Sequence, residues 1–206
     1  MAVVKNKLVH KLLNVSDMIK KELFRKTIHM MSSFLPFFYY FNKAFVMIGL
    51  LSITLLYFIS EVLRYNNIKI PIISGVTELA ARSRDEGKIV LGPITLALGV
   101  FLSFTFFDYR IAIIAIFALS FGDGVASLFG KIIEGPKIPL TFGKTLSGSL
   151  GCFVVLFIVY LSCGIELKQS FLIALFATFI EAFPSGDYDN LLIPVATGLF
   201  AQNVMF

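Results

Sequence analysis

The stretch 120–131 reads Ser120-Phe121-Gly122-Asp123-Gly124-Val125-Ala126-Ser127-Leu128-Phe129-Gly130-Lys131 and passes from an apolar segment into a basic, glycine-rich loop. The next apolar segment opens with a second cluster of this kind, Gly143-Lys144-Thr145-Leu146-Ser147-Gly148-Ser149. A carboxylate such as Asp123 inside a membrane segment costs about 2.5–3.5 kcal/mol on insertion scales, so it is a candidate functional residue. Glycine backbone beside lysine and hydroxyl groups offers a polyphosphate N–H donors, positive charge and room. We therefore interpret the two clusters as a phosphate site. The alternative is that the glycines let helices pack closely while a lysine neutralises Asp123.

The composition is that of an integral membrane protein. Of the 206 residues, 57% are hydrophobic and only 15% are charged, and the mean hydropathy is +0.86. A soluble domain of this length could not bury so much apolar surface. The apolar runs are continuous rather than alternating, which favours helices over a β-barrel. We expect an all-α, polytopic helical membrane protein.

Seven apolar segments are candidates for crossing a bilayer. They lie at 22–41, 44–64, 89–107, 111–130, 146–165, 168–183 and 191–206. The last two are short of the ~20 residues that a full crossing needs, so tilted crossings and a re-entrant pair are both open. Residues 22–206 are then one transmembrane catalytic domain. Residues 1–21 are basic with apolar residues at helical spacing, which predicts an amphipathic helix on an anionic membrane surface or a solvated arm.

The distribution of lysine and arginine predicts a cytoplasmic N-terminus. With that orientation, fifteen of the eighteen cationic side chains fall in cytoplasmic segments, and only Lys43, Arg110 and Lys168 fall outside. This positive-inside bias explains the net charge of +5 without a nucleic-acid partner. The polar residues that need an explanation then collect near one face, so any site is expected to be cytoplasmic and set slightly into the bilayer.

Two groups of cations before the third apolar segment could contact a nucleotide. On a helix, Arg25 and Lys26 each share a face with His29. A guanidinium forks onto phosphate oxygens and a histidine can assist proton transfer; the alternative is a positive-inside anchor with an interfacial histidine. A further set of cations lies in the loop 81–88: Arg82, Arg84 and Lys88. A solvated loop is the default interpretation of that set.

The cluster around Asp123 is not a Walker A loop, since the first glycine of that pattern would fall at Ile138 and no strand is predicted before it. A phosphate site here would be built on membrane helices. Its candidate phosphate ligands are cations, hydroxyls and glycine backbone: Lys131, Lys144, Thr145, Ser147, Gly122, Gly124 and Gly148.

Carboxylates collect again at 181–190. Glu181 lies inside the sixth apolar segment, and Asp189 follows a turn that contains proline and glycine. Oxygen ligands of this kind suit Mg²⁺, which takes few carboxylates together with phosphates and water. The alternative for Asp189 is a polar turn in which it caps the seventh helix.

Taken together, these motifs resemble the CTP-dependent polyprenol, phytol and dolichol kinase family, which is related to the phosphatidate cytidylyltransferases. The residues that carry the resemblance are spread over nearly the whole chain: Glu22, Arg25-Lys26, His29, Ser60-Glu61, Gly122-Asp123-Gly124, Gly130-Lys131, Lys144-Thr145, Gly148-Ser149, Glu181-Ala182 and Asp189-Asn190. The resemblance implies a membrane enzyme that moves the γ-phosphoryl group of CTP onto a lipid alcohol (an isoprenoid alcohol or diacylglycerol) with Mg²⁺. The preference for CTP comes from the resemblance alone.

The roles that follow are expectations. Mg²⁺ would be bound by Asp123 with Glu181 or Asp189, and Lys144 with the other phosphate ligands would hold the triphosphate. The side chains that would steer or clamp it are all cationic: Arg25, Lys26, Arg82, Arg84 and Lys88. The proton acceptor for the alcohol is open among Asp123, Glu61 and His29. The lipid tail would lie in a groove between Phe-rich helices.

Two other functions fit parts of the sequence. A cytidylyltransferase would make a CDP-lipid and release pyrophosphate. A small ion-coupled transporter would use Asp123 and Glu181 as an ion path, but it expects acidic groups at mid-membrane and leaves the lysine and hydroxyl cluster unused. The sequence leaves open which lipid alcohol is used and whether the chain is a homodimer.

Overall fold

The computed structural model describes residues 19–81, 87–133, 135–141, 143–183 and 186–206. Their helices, in chain order, are α1 (residues 19–31), α2 (Leu35–Phe41), α3 (Lys43–Tyr65), α4 (Pro71–Ala80), α5 (Gly92–Phe106), α6 (Tyr109–Phe117), α7 (Gly124–Ile132), α8 (Leu146–Ser162), α9 (Leu167–Ala182) and α10 (Asp189–Met205). A short 3₁₀ turn, Ser32–Phe34, joins α1 to α2. The part of the chain that the structure describes contains no strand, only an isolated bridge between Lys137 and Thr145. The all-α prediction is therefore confirmed.

Each of the seven predicted apolar segments is helical over most of its length. Within the part of the chain that the structure describes, two helices are long and apolar enough to cross a membrane: Lys43–Tyr65, with 23 residues, and Tyr109–Ile132, with 24. The apolar helices α5 and α8 are shorter, so the count of seven crossings and the cytoplasmic N-terminus stay predictions. The short helix α4 was not predicted, because its ten residues fall below the length of an apolar span.

The helix Tyr109–Ile132 lies at the centre of the fold. Its most apolar window is 72% buried, whereas that of α3 is only 17% buried. Isoleucine and alanine side chains between 111 and 118 form the inner core, and α10 packs on α5, α6 and α9. Large apolar side chains of α3, such as Phe45 and Ile48, are exposed, as expected of a helix that faces lipid tails. The candidate residue Asp123 therefore sits on the central helix.

A π-helical segment, Ala118–Asp123, interrupts this central helix just before α7. Such segments are rare and occur often at functional sites. Two buried hydroxyl groups connect this π-helical segment to the end of α1. Ser32 Oγ donates a hydrogen bond to the carbonyl oxygen of His29 at 2.6 Å, and the same Oγ lies 2.6 Å from Ser120 Oγ in the π-helical segment. The π segment is thereby fixed against α1, with Asp123 at its last position.

The helices α7 and α8 approach closely at Gly148. A Cβ atom on Gly148 would lie 2.6 Å from the carbonyl oxygen of Ala126, so no larger residue fits without a shift of the backbone. Small residues allow membrane helices to pack in this way. The contact brings the 143–149 cluster beside the helix that follows Asp123.

Candidate active site

The buried carboxylate of Asp123 is paired with one cation of α1, Lys26, and lies near a histidine of the same helix. Lys26 Nζ donates to Asp123 Oδ2, and His29 Nδ1 lies 3.4 Å from the same oxygen. All three side chains are buried. Because a charge taken out of water is costly unless it is paired, Lys26 is the counter-ion that allows Asp123 to stay inside the helix bundle.

Glu22 joins α1 to α7. Its Oε1 accepts hydrogen bonds from Arg25 at 2.5 Å and from Ser127 Oγ at 2.6 Å, while Lys131 Nζ lies 2.6 Å from Oε2. From the sequence alone, Glu22 was assigned no role of its own. Its spacing of three residues from Arg25, which puts the two on one helix face, was the available signal.

Lys144 forms a second ion pair on the other side of the site. Its Nζ lies 2.5 Å from Glu181 Oε1 and 2.5 Å from the Glu181 carbonyl oxygen, and 3.7 Å from Asp189 Oδ2. Burial alone would lower the pKa of Lys144, but the nearby carboxylates, Glu181 foremost, outweigh that effect and raise the pKa. Lys144 is therefore a permanent cation at physiological pH.

Residues around Asp123 and residues around Lys144 line one polar cavity of about 500 Å³, which we call the site cavity. Its cations are Arg25, Lys131 and Lys144. Its carboxylates are Glu22, Asp123, Glu181 and Asp189. The described lining also includes hydroxyl and backbone groups, among them those of Ser127, Thr141, Thr145, Gly148 and Ser149. Asp123 and Lys144, far apart in sequence, thus face a common space.

Two polar atoms in the lining of this cavity could each form a further hydrogen bond. Glu181 Oε2 and Ser149 Oγ are buried and have no hydrogen-bond partner among the described residues. Buried polar groups are nearly always satisfied, so each exception calls for an explanation. An incoming ligand of the cavity would supply one.

A second, smaller space adjoins the site cavity, and we call it the aliphatic crevice. It measures about 50 Å³, and its apolar walls come from Ile28, Val90, Pro93 and Leu96. The residues that line both spaces are Arg25, Asp123, Gly186 and Asp189. Asp123 therefore lies where a polar and an apolar space meet.

Several candidates from the sequence have other contacts. Glu61 is buried and accepts hydrogen bonds from Arg64 Nε at 2.9 Å and from the Val90 backbone N–H at 2.6 Å. Lys88 is exposed, and its carbonyl oxygen accepts from Arg64. Neither residue is among those that line the two spaces. Arg82 and Arg84 lie outside the described residues.

The glycines and hydroxyls predicted to bind phosphates divide into two sets. A Cβ on Gly122 would meet Leu156 at 3.0 Å, and one on Gly124 would meet Met30 at 3.2 Å, so both glycines serve helix packing.

The predicted hydroxyl ligands have contacts of their own within the chain. Ser147 Oγ donates to the carbonyl of Ile133. Thr145 caps α8, since its Oγ1 accepts from the Gly148 N–H at 3.2 Å. Of these residues, Thr145 and Gly148 line the site cavity.

The predicted metal ligands do not form a ready-made cage. Among the described residues, no group of three or more metal-ligating side chains lies together. Asp123 is paired with Lys26, whereas Glu181 keeps one oxygen unpartnered by described residues and Asp189 is the first residue of α10. Any divalent cation here would take most of its ligands from a phosphate and water.

Curated proteins similar to this chain are named as lipid kinases. A protein from Oryza sativa subsp. japonica named probable phytol kinase 1, chloroplastic, is 30% identical over 137 residues, which is 56% of this chain and 44% of the rice protein. A protein from Glycine max named probable phytol kinase 2, chloroplastic, is 26% identical over 206 residues, 89% of this chain and 66% of its own length. A protein from Eremothecium gossypii named CTP-dependent diacylglycerol kinase 1 is 34% identical over 80 residues, 39% of this chain and 25% of its own length.

These similarities confirm the resemblance to the CTP-dependent lipid kinase family, at modest identity. The chain spans less than half the length of the rice relative and about two thirds of the soybean relative. No family model matches the chain, and no solved structure matches it.

Proposed function

We propose that this chain is a membrane lipid kinase that transfers the γ-phosphoryl group of CTP to a lipid alcohol at the cytoplasmic surface of its membrane. The acceptor class comprises polyprenol, phytol, farnesol-type alcohols, dolichol and diacylglycerol. The observation that carries the proposal is the site cavity, in which Arg25, Lys131 and Lys144 face the same space as Asp123 and Glu181. The names of the relatives support a lipid kinase, and the use of CTP rests on the name of the Eremothecium protein.

The physical setting supports this chemistry. A long-chain alcohol is confined to the bilayer and a nucleotide to water, so the two must react where the membrane meets the cytosol. Phosphoryl transfer depends on positioning and charge neutralisation more than on covalent catalysis by side chains. The volume of about 500 Å³ lies in the range of small-molecule sites, roughly 300–1,000 Å³, which is enough for a nucleotide.

Within this proposal, Glu181 and Asp189 are the residues that would hold Mg²⁺. The fit rests on Glu181 Oε2, which is buried and without a hydrogen-bond donor among the described residues, and on the position of Asp189 in the same lining. When bound, Mg²⁺ would neutralise charge on the phosphate oxygens. Asp123, already paired with Lys26, is left for the acceptor alcohol.

The reaction balances with the groups at hand. The alcohol oxygen forms a bond to the γ-phosphorus as the bond from that phosphorus to the β–γ bridging oxygen breaks, which gives a lipid phosphate and CDP. The alcohol proton passes to Asp123 and from there to water. Lys131 and Lys144 hold the phosphate oxygens, and His29 stabilises the Asp123 carboxylate in its orientation.

The test is product analysis with the purified chain in lipid nanodiscs. Incubation with γ-labelled CTP and Mg²⁺, together with phytol, farnesol, dolichol or diacylglycerol, should give a labelled lipid phosphate and unlabelled CDP, and a parallel incubation contains phosphatidate as the lipid. ATP in place of CTP should give less product. Release of labelled pyrophosphate with formation of a CDP-lipid from phosphatidate would instead establish a cytidylyltransferase. The absence of both products would overturn the proposal.

A further inference from the structure

The aliphatic crevice has walls that are held by buried polar bonds. On the α10 side, Asn190 Nδ2 donates to the Gly92 carbonyl at 3.1 Å and to Thr95 Oγ1 at 3.0 Å. On the Val90 side, the Val90 N–H donates to Glu61 Oε1 at 2.6 Å. These bonds tie the start of α5 to both α10 and α3. The width of the crevice is therefore set in advance, as is usual for small-molecule sites.

The size of the crevice suits the hydroxyl end of a single lipid chain and excludes a bulky lipid headgroup. A cavity needs about 10–15 Å³ in the same measure to hold one water molecule. The volume of about 50 Å³ is therefore room for roughly three or four water-sized groups. A hydroxyl with its first two or three carbons fills this space. The glycerol backbone of diacylglycerol, which carries an ester on the neighbouring carbon, has a larger cross-section.

The charge of the crevice favours an uncharged ligand. Among the described residues, its charged lining consists of three carboxylates, Asp123, Asp187 and Asp189, and one guanidinium, Arg25. His29 is the remaining titratable group in that described part of the lining. Because Lys26 neutralises Asp123, a lipid that carries a phosphate would meet two further carboxylates and one guanidinium on these walls, an arrangement that disfavours an anion. A neutral hydroxyl can instead donate its hydrogen bond to a carboxylate.

We infer that the aliphatic crevice is the acceptor subsite and that it takes the hydroxyl end of a neutral, single-chain lipid alcohol. The alcohol O–H lies against Asp123, and the first carbons contact Ile28, Val90 and Leu96. The inference rests on the proposed function for the phosphoryl donor, which occupies the site cavity on the other side of Asp123. The inference concerns only the hydroxyl end of the alcohol, and the groove between Phe-rich helices expected for the rest of the lipid tail stays a prediction.

Photoaffinity labelling tests the location directly. The full chain in nanodiscs is irradiated with a farnesol analogue that carries a diazirine on its first isoprene unit, and labelled peptides are mapped by mass spectrometry. We expect label on the segments 25–31 and 89–96. Excess farnesol should remove it, whereas equal amounts of diacylglycerol or phosphatidate should not. Label confined to other segments, or equal competition by the two-chain lipids, overturns the inference.

A matched pair of variants on α5 tests the specificity. Leu96→Phe narrows the crevice, whereas Leu98, two residues on and hence on the opposite face of the helix, does not line it. We expect Leu96→Phe to raise the KM for farnesol about tenfold, the scale of one misfitted apolar group, with the KM for CTP unchanged. Leu98→Phe should leave both values unchanged. Equal effects of the two variants on both substrates would contradict the subsite.

The two experiments separate this inference from the proposed function. Label in the crevice from a chain that transfers nothing from CTP would retain the alcohol subsite and remove the kinase. Transfer to farnesol with label elsewhere would retain the kinase and remove the subsite.

Discussion

Lys26 and Asp123 are 97 residues apart in sequence and form a buried ion pair between α1 and the π-helical segment. Removing one partner of such a pair leaves an uncompensated buried charge, at a cost of about 3–5 kcal/mol. Removing both charges at once avoids that cost. Single and double variants of this pair can therefore separate the contribution of Asp123 to stability from its contribution to phosphoryl transfer.

Three variants test this separation. We expect Asp123→Asn and Lys26→Met each to lower the thermal unfolding temperature in detergent, because each leaves the other group charged and buried. The double variant should recover most of that loss of stability. Phosphoryl transfer should stay abolished in Asp123→Asn and in the double variant, because the proton acceptor is missing. Wild-type transfer in the double variant would contradict the role given to Asp123.

Lys144 should contribute both to the binding of CTP and to the stability of the folded chain at alkaline pH. Its Nζ is bonded to Glu181 and lines the site cavity. We expect Lys144→Met to lower kcat/KM for CTP by at least about a hundredfold, comparable to the loss of one preorganised charge donor. The matched control is Lys137→Met, which removes a lysine from the same loop outside the cavity lining and should change kcat/KM by less than about threefold.

The pH dependence of the unfolding free energy follows from the direction in which folding shifts the pKa of Lys144. The pKa of Lys144 is raised in the folded chain, so its contribution to stability is complete below the ordinary lysine pKa of about 10.4. That contribution is lost as the pH rises through the raised pKa. The difference in unfolding free energy between wild type and Lys144→Met should be constant from about pH 6 to pH 9 and shrink above that. A difference that already falls between pH 7 and pH 9 would contradict the raised pKa.

Glu22 should act as a positioning residue for two cations. Its carboxylate contacts both Arg25 and Lys131, so Glu22→Gln should leave both cations less well placed for the triphosphate. We expect the KM for CTP to rise about tenfold with kcat reduced less, as for a residue that orients binding groups. Glu22→Asp should recover part of the loss. The exposed Glu166 provides the control, and Glu166→Gln should behave as wild type.

Glu61 should affect the alcohol rather than the nucleotide. It accepts the Val90 N–H and so supports one wall of the aliphatic crevice. Glu61→Gln should lower stability by about 1–3 kcal/mol, the cost of weakening a buried charged hydrogen bond. It should raise the KM for the alcohol and keep kcat within about threefold. Loss of kcat by several orders of magnitude would instead support Glu61 as the proton acceptor.

The helices were the most predictable part of the molecule. Continuous apolar runs specify helices of nearly fixed bounds, because a polar backbone in an apolar environment must bond within its own segment. The segment 111–130 illustrates this, as it corresponds to the central helix Tyr109–Ile132. The short helix α4 was missed because periodicity over ten residues is a weak signal beside the long apolar runs.

The site was predictable in kind but not in its pairings. A sequence shows that Asp123 needs a cation but not which of eighteen lysines and arginines supplies it, because the choice depends on how α1 packs. For the same reason Lys26 was expected at the phosphates, whereas it is buried against Asp123. Gly122 was read as a phosphate contact, yet its lack of a side chain is required by Leu156. Glycines serve both purposes with the same local sequence.

If the site cavity binds the triphosphate as proposed, the contacts of Glu22 would also determine what kind of anion can enter. Arg25 and Lys131 both contact this one carboxylate, so a small ion such as inorganic phosphate must compete with it for either cation. A ligand with several phosphoryl groups replaces the same carboxylate while reaching Lys144 as well. In the proposed kinase, the resting ion pairs would therefore make the site select anions by valence and length, because its cations contact carboxylates until a polyphosphate takes their place.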